Sequence, residues 1–317
     1  MDKKLIIYSF TGLVAAGAIA ASGLTNSKAP NQSSQMPPMQ QGDASMGGMQ
    51  HGEKSSNPDR GHSTPTQTTT NQAKLTASRD ITPKTPVKLL IDVQDSAGKA
   101  IANFDTFQEK LMHLIVVSDD LQFFSHLHPT YKKNGSFEVE ANFPRSGSYT
   151  LFGDYKPSGQ KEQVSVMKKQ VAGGNLPVAA IDFNYTKTFG DTKANLTLSQ
   201  PKVKAGEEVT LIFNLQQKSN NQPVTDLQPY LGERGHLVIL KQSSPLTRAD
   251  YIHAHAMKDS PDGQVQFMTS FPQPGKYKLW GQFNRNGKIV IADFWVNLLE
   301  QQAFIIRRFL SFKNSRN

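Results

Sequence analysis

The chain has 317 residues, room for about two domains of ordinary size. It carries no cysteine, which excludes disulfides, thiolate zinc sites, thiol nucleophiles and a cysteine-ligated blue-copper centre. The formal net charge is +9, and the stretch from Gln301 to Asn317 holds four cations (Arg307, Arg308, Lys313, Arg316) and no acid. No basic run interleaved with aromatics accompanies this charge, so it reads as a solvated cationic surface and no nucleic-acid partner is expected.

Residues 1–24 read as an export signal. Lys3 and Lys4 precede an apolar run from Leu5 to Ala21, and Ala18-Ile19-Ala20 supplies the small residues of a cleavage site. The alternative is an uncleaved signal anchor, since the run approaches the length needed to span a bilayer. Either way the remainder is expected outside the cytoplasm: secreted, periplasmic, or anchored to the outer face of the membrane. An uncleaved anchor would be the only membrane attachment.

Residues 25–75 read as a disordered linker rich in Met, Gln, Ser and Thr. From Thr25 to Gln72 there is no Val, Ile, Leu, Phe, Tyr or Trp, so the segment has too little apolar surface to offset its ordering entropy. It nevertheless holds Met36, Met39, Met46, Met49 and His51. Thioether sulfur is a soft ligand suited to Cu(I), and Met-x-x-Met spacing lets two sulfurs reach one ion. These five residues are accessory ligand candidates. The pattern resembles the Met- and His-rich tracts of bacterial periplasmic copper-handling proteins.

The rest is a duplication. Val87-Lys-Leu-Leu-Ile-Asp-Val matches Val209-Thr-Leu-Ile-Phe-Asn-Leu, and Met112-His-Leu-Ile-Val-Val matches Gly235-His-Leu-Val-Ile-Leu. Phe124-Ser-His-Leu-His-Pro then matches Tyr251-Ile-His-Ala-His-Ala, and Ser146-Gly-Ser-Tyr-Thr-Leu-Phe-Gly matches Pro274-Gly-Lys-Tyr-Lys-Leu-Trp-Gly. Each copy offers about six or seven short strands separated by turn signals, with no sustained 3.6-residue period. This predicts an all-β chain with two tandem immunoglobulin-like β-sandwiches, at 76–172 and 178–299, with a boundary near Gly173-Gly174. Lys288 to Leu298 is expected to be the final strand. Residues 300–317 form a basic tail with no counterpart in the first copy.

Six of the eight histidines fall at matched positions: His113, His126 and His128 in the first repeat, His236, His253 and His255 in the second. In a strand, residues i and i+2 share a face, so each His-x-His pair can lean toward one ion. His113 and His236 each open a strand-like run and could supply a third imidazole from a neighbouring strand. Three imidazoles suit Cu, Zn or Ni. Met112 and Met257 lie beside ligand candidates, and Glu109 and Glu233 could serve as outer partners. A lone His-x-His is more often the polar face of a sheet; recurrence of all three histidines across loops of different length favours ligation. His128 precedes Pro129 whereas His255 precedes Ala256, which predicts a looser second site. A single site shared between the domains is the other arrangement open to these residues.

The segment from His113 to Pro129, with its HLxxV…HxHP pattern, resembles a motif of uncharacterised secreted bacterial proteins. These are similar to YtkA-like and other extracytoplasmic immunoglobulin-like modules, several of them associated with copper handling. Over residues 80 to 298 the resemblance implies an extracytoplasmic β-sandwich with a copper role at His113, His126 and His128.

The expectation is therefore a copper-binding protein, with zinc as second candidate, acting in metal resistance, buffering or delivery. The alternative is a non-enzymatic module that binds a cell-envelope protein partner and uses its histidines structurally. A third reading, a metal-dependent hydrolase or oxidase, is permitted by three histidines and an open position, but neither copy shows a general base at a diagnostic spacing and no catalytic residue is expected. Serine-triad, phosphate-loop and dinucleotide motifs are absent, and of the acids only Asp119, Asp120 and Asp154 offer themselves, at no diagnostic spacing.

Overall fold

The structure is a computed structural model and describes residues 71–77, 80–174 and 180–299. The expected signal at 1–24, the linker ligands Met36, Met39, Met46, Met49 and His51, and the tail at 300–317 lie outside the described residues. Both repeats fall within one compact unit. Among the described residues no helix is long and apolar enough to cross a membrane.

Each repeat is an antiparallel sandwich of two sheets. In the first repeat one sheet has the order β1 (Asn71–Thr76), β2 (Pro86–Asp95), β6 (Ser136–Asn142), β5 (Thr130–Lys133). The other has the order β4 (Phe124–Leu127), β3 (Met112–Ser118), β7 (Gly147–Tyr155), β8 (Gln163–Val171). In the second repeat β15 (Gln264–Ser270), β11 (Glu208–Gln217), β10 (Thr192–Leu198) and β9 (Thr186–Phe189) form one sheet. The other contains β14 (Tyr251–His255), β13 (His236–Lys241), β16 (Gly275–Arg285) and β17 (Lys288–Leu298), with β12 (Leu227–Gln228) also on β16.

The fold is all-β and immunoglobulin-like, as the pattern predicts, and β17 covers the expected final strand. One boundary moves. The first strand starts at Asn71, inside the segment assigned to the linker, because Asn71 to Thr76 pair along β2 from Asp95 to Leu90. Backbone pairing along an existing edge, together with burial of Ala73 and Leu75 against the core, orders a segment too polar to be recognised by its composition.

The recurring Gly-x-Tyr has a local cause. Gly147 (φ 122) and Gly275 (φ 139) occupy backbone conformations that side chains disfavour. Two residues on, the Tyr149 hydroxyl donates to Arg145 O at 2.9 Å and the Tyr277 hydroxyl to Gln273 O at 2.7 Å. Both tyrosines tie the strand start to the preceding turn, in the manner of a tyrosine corner.

β2 and β11 alternate between buried and more exposed positions, as sheets with one wet face do. β3 is buried along its whole length, so both its faces are covered. Met112, Leu114 and Val116 enter the core of the first sandwich, and Ile115 and Val117 enter a third cluster that joins the two repeats. On β13, Leu237 and Ile239 face the second core while Val238 and Leu240 enter that same joining cluster. The sandwiches therefore pack through the two sheets that carry the histidines.

The joint has approximate two-fold character. Phe124 stacks on Trp280 with ring centroids 4.9 Å apart and planes 17° apart. Phe152 stacks on Tyr251 at 4.9 Å and 17°. By the repeat alignment Phe124 corresponds to Tyr251 and Phe152 to Trp280, so each repeat offers the same two positions to the other. This is the isologous arrangement of a symmetric dimer, achieved within one chain.

Candidate metal centre

Strand alternation delivers the histidines to this joint. His113 shares its face of β3 with Ile115 and Val117, and His236 shares its face of β13 with Val238 and Leu240. Both are fully buried. Next to them, β4 lies with His126 opposite Ile115, and β14 lies with His255 opposite His236 and His253 opposite Val238. The result is a collar of imidazoles continuing the apolar seam between the sandwiches.

The first-repeat histidines converge. Nitrogen atoms of His113, His126 and His128 all lie within 4.8 Å of one another, and His113 Nδ1 is 3.0 Å from His126 Nε2. In the second repeat His236 Nδ1 is 3.4 Å from His253 Nε2. His255 departs from the pattern: the Gln108 side-chain amide lies 2.7 Å from its ring nitrogens, and its ring centroid stands 5.5 Å from that of His253. Imidazoles of the two repeats face each other, His113 lying 5.9 Å from His253 and 6.4 Å from His236 by ring centroids.

Outer partners set the tautomers. Asp154 Oδ2 is 3.1 Å from His253 Nδ1, so Nδ1–H donates to the carboxylate and Nε2 presents its lone pair toward His236. Gln282 Oε1 is 3.2 Å from His126 Nδ1, and Phe107 O is 3.2 Å from His113 Nε2. With these oxygens accepting, His126 Nε2 and His113 Nδ1 turn their lone pairs toward one another. The 3.0 Å separation suits an N–H···N bond in one tautomer and two lone pairs sharing a cation in the other. A tetrahedral ion bound at 2.0–2.1 Å spaces its nitrogens by about 3.3 Å, close to both observed separations.

The partners cross between repeats. Asp154 is the strand partner of His113, and Gln282 is the strand partner of His236. Each reaches instead to a histidine of the opposite repeat. Aromatic edges close the site, Phe107 against His113 at 4.8 Å and Tyr230 against His236 at 5.4 Å.

The electrostatics favour neutral imidazoles. Burial first, then a neighbouring imidazole, lowers His113 to about 4, His128 to about 3 and His253 to about 3. The same causes hold His126 well below its usual range and put His236 at about 2. Neutral imidazole is the ligating form. Burial raises Asp154 to about 6, which leaves it a carboxylate above that pH. One ring nitrogen, His128 Nε2, is buried without a hydrogen-bond partner. Buried polar atoms of this kind are rare and costly in folded proteins unless an ion or water occupies the space they face.

Other expectations need revision. Met112 cannot join the ligands, because alternation sends its side chain into the first core. The outer partners are Asp154, Gln282 and Gln108, in the places assigned to Glu109 and Glu233. Asp154 and Gln282 were legible in principle. Each follows the glycine of the matched Leu-Phe-Gly and Leu-Trp-Gly runs, two residues beyond an interface aromatic and so on the same strand face.

A model of a domain of unknown function, DUF8832, matches residues 67–171 and again 187–300. The chain belongs to this family. The two matches coincide with the two sandwiches. No curated protein matches. Among solved structures the chain is similar to invasin, a bacterial integrin-binding protein, at 12% identity and a TM-score of 0.24, covering 73% of this chain and 40% of that one. It is similar to Salmonella alpha-2-macroglobulin at 15% identity and a TM-score of 0.24, covering 75% of this chain and 15% of that one. It is also similar to a two-domain fibronectin type III segment of chicken tenascin, at 12% identity and a TM-score of 0.22, over 72% of this chain and 99% of that one. The chain thus spans less than half of invasin or alpha-2-macroglobulin.

Proposed function

We propose that this is an extracytoplasmic metal-binding protein that holds a transition metal, copper first and zinc second, for resistance, buffering or delivery. One observation carries the reading: imidazoles from both repeats gather in one buried joint, the nitrogens of three of them converge, and His128 Nε2 is buried with no protein partner. Imidazole nitrogens suit Cu, Zn and Ni, and the methionines of the linker sequence add a soft donor set that favours Cu(I). The Asp154–His253 pair is the carboxylate–histidine arrangement that orients a ligand and raises its basicity. The basic, apolar, small-residue order of the N-terminal sequence supports export.

The test is metal titration of the folded chain, with bound copper and zinc measured by elemental analysis. The wild-type protein is expected to retain metal after desalting, and a His126→Ala, His128→Ala variant to retain less. Equal retention by the two proteins would refute the reading.

A further inference from the structure

Resting on that reading, we infer that the joint holds two neighbouring metal ions, one per repeat, and that each ion's ligands are oriented by a residue of the opposite repeat. Ring spacing carries the inference. An ion bound at 2.0–2.1 Å by imidazole nitrogen lies about 3 Å from the ring centre, so rings sharing one tetrahedral or trigonal ion stand about 5–5.5 Å apart. Within the first repeat the rings of His113, His126 and His128 stand 5.2, 5.2 and 4.7 Å apart. Within the second, His236–His253 is 5.7 Å. Between repeats the spacing is larger: 5.9 Å for His113–His253, 6.3 Å for His126–His236 and 6.4 Å for His113–His236. One ion shared by both repeats would hold the cross-joint pairs at the same spacing as the pairs within a repeat. All three cross-joint pairs stand wider than every ligand pair within a repeat.

The two positions are unequal. Three imidazoles converge in the first repeat, whereas His255 is engaged by Gln108, leaving His236 and His253 as the ligands already paired in the second. The first ion is therefore held more tightly. The crossing of Gln282 to His126 and of Asp154 to His253 means that neither sandwich alone has a complete site.

The experiment uses the full chain and divalent copper. By elemental analysis, His113→Ala, His126→Ala and His236→Ala, His253→Ala variants are each expected to bind one ion fewer than wild type, which cancels any ion held by the linker. The variant lacking all four histidines is expected to bind two ions fewer; if it binds only one fewer, a single shared ion is present and the inference fails while the proposed function stands. If no variant loses any, both fail. Because buried substitutions can unfold the joint, the wild-type protein supplies a second measurement by electron paramagnetic resonance. Two adjacent Cu(II) ions give a half-field transition and less signal than the bound copper accounts for. Copper bound at the cluster with full signal and no half-field transition overturns the inference.

Discussion

Asp154 Oδ2 lies 3.1 Å from Nδ1 of His253, a residue 99 positions along the chain in the other repeat. The bond runs across the joint between the sandwiches, although in its own sheet Asp154 sits opposite His113. A residue of the first repeat thereby governs the tautomer of a ligand candidate in the second.

Replacing Asp154 with Asn keeps an acceptor oxygen but removes the charge behind His253. Metal affinity is expected to fall by about 10–100-fold with the fold retained. Competition against a chelator of known affinity measures it; unchanged affinity would contradict the role given to the carboxylate.

The metal-free protein should lose stability in acid. His113, His126, His128, His236 and His253 have folded-state values depressed below the ordinary 6.5. The unfolded chain therefore binds more protons below that pH. Stability is flat above about pH 7 and declines as pH falls through 6.5 toward the folded-state values, about 4 for His113. Asp154 acts oppositely: raised to about 6, it favours the folded state as pH falls, but it is one group against five. Denaturant unfolding at pH 7.5, 6.5 and 5.5 should show a falling midpoint, and a level profile would mean that the imidazoles are not held neutral.

Saturating metal should raise the melting temperature. A ligand at 100 times its dissociation constant adds about 2.7 kcal/mol of stability when it binds only the folded state. The shift should vanish with a chelator and shrink in the His126→Ala, His128→Ala variant, as thermal melts would record.

The stacked pair Phe124–Trp280 should be energetically coupled. Trp280 is 3% exposed, and its replacement by Ala should cost about 3–5 kcal/mol. A double-mutant cycle with Phe124→Ala should return about 0.5–1.5 kcal/mol of coupling. Additive effects would mean that the stacking contributes nothing beyond burial.

The linear chain by itself determined the two sandwiches, their duplication and the matched histidines. Strand alternation, turn glycines and corner tyrosines are local, and local rules repeat when a domain is copied. The six imidazoles were recognisable because they recur while most polar neighbours do not. Only the tertiary structure decided that both sets share one joint. The run from His113 to Val117 lacks alternation and fits any strand buried on both faces; nothing local says whether its second cover is its own domain or a neighbour. Nor could the order of residues place Asp154 against His253 or Gln282 against His126, since reciprocal packing of two sheets, not distance along the chain, brings each pair together.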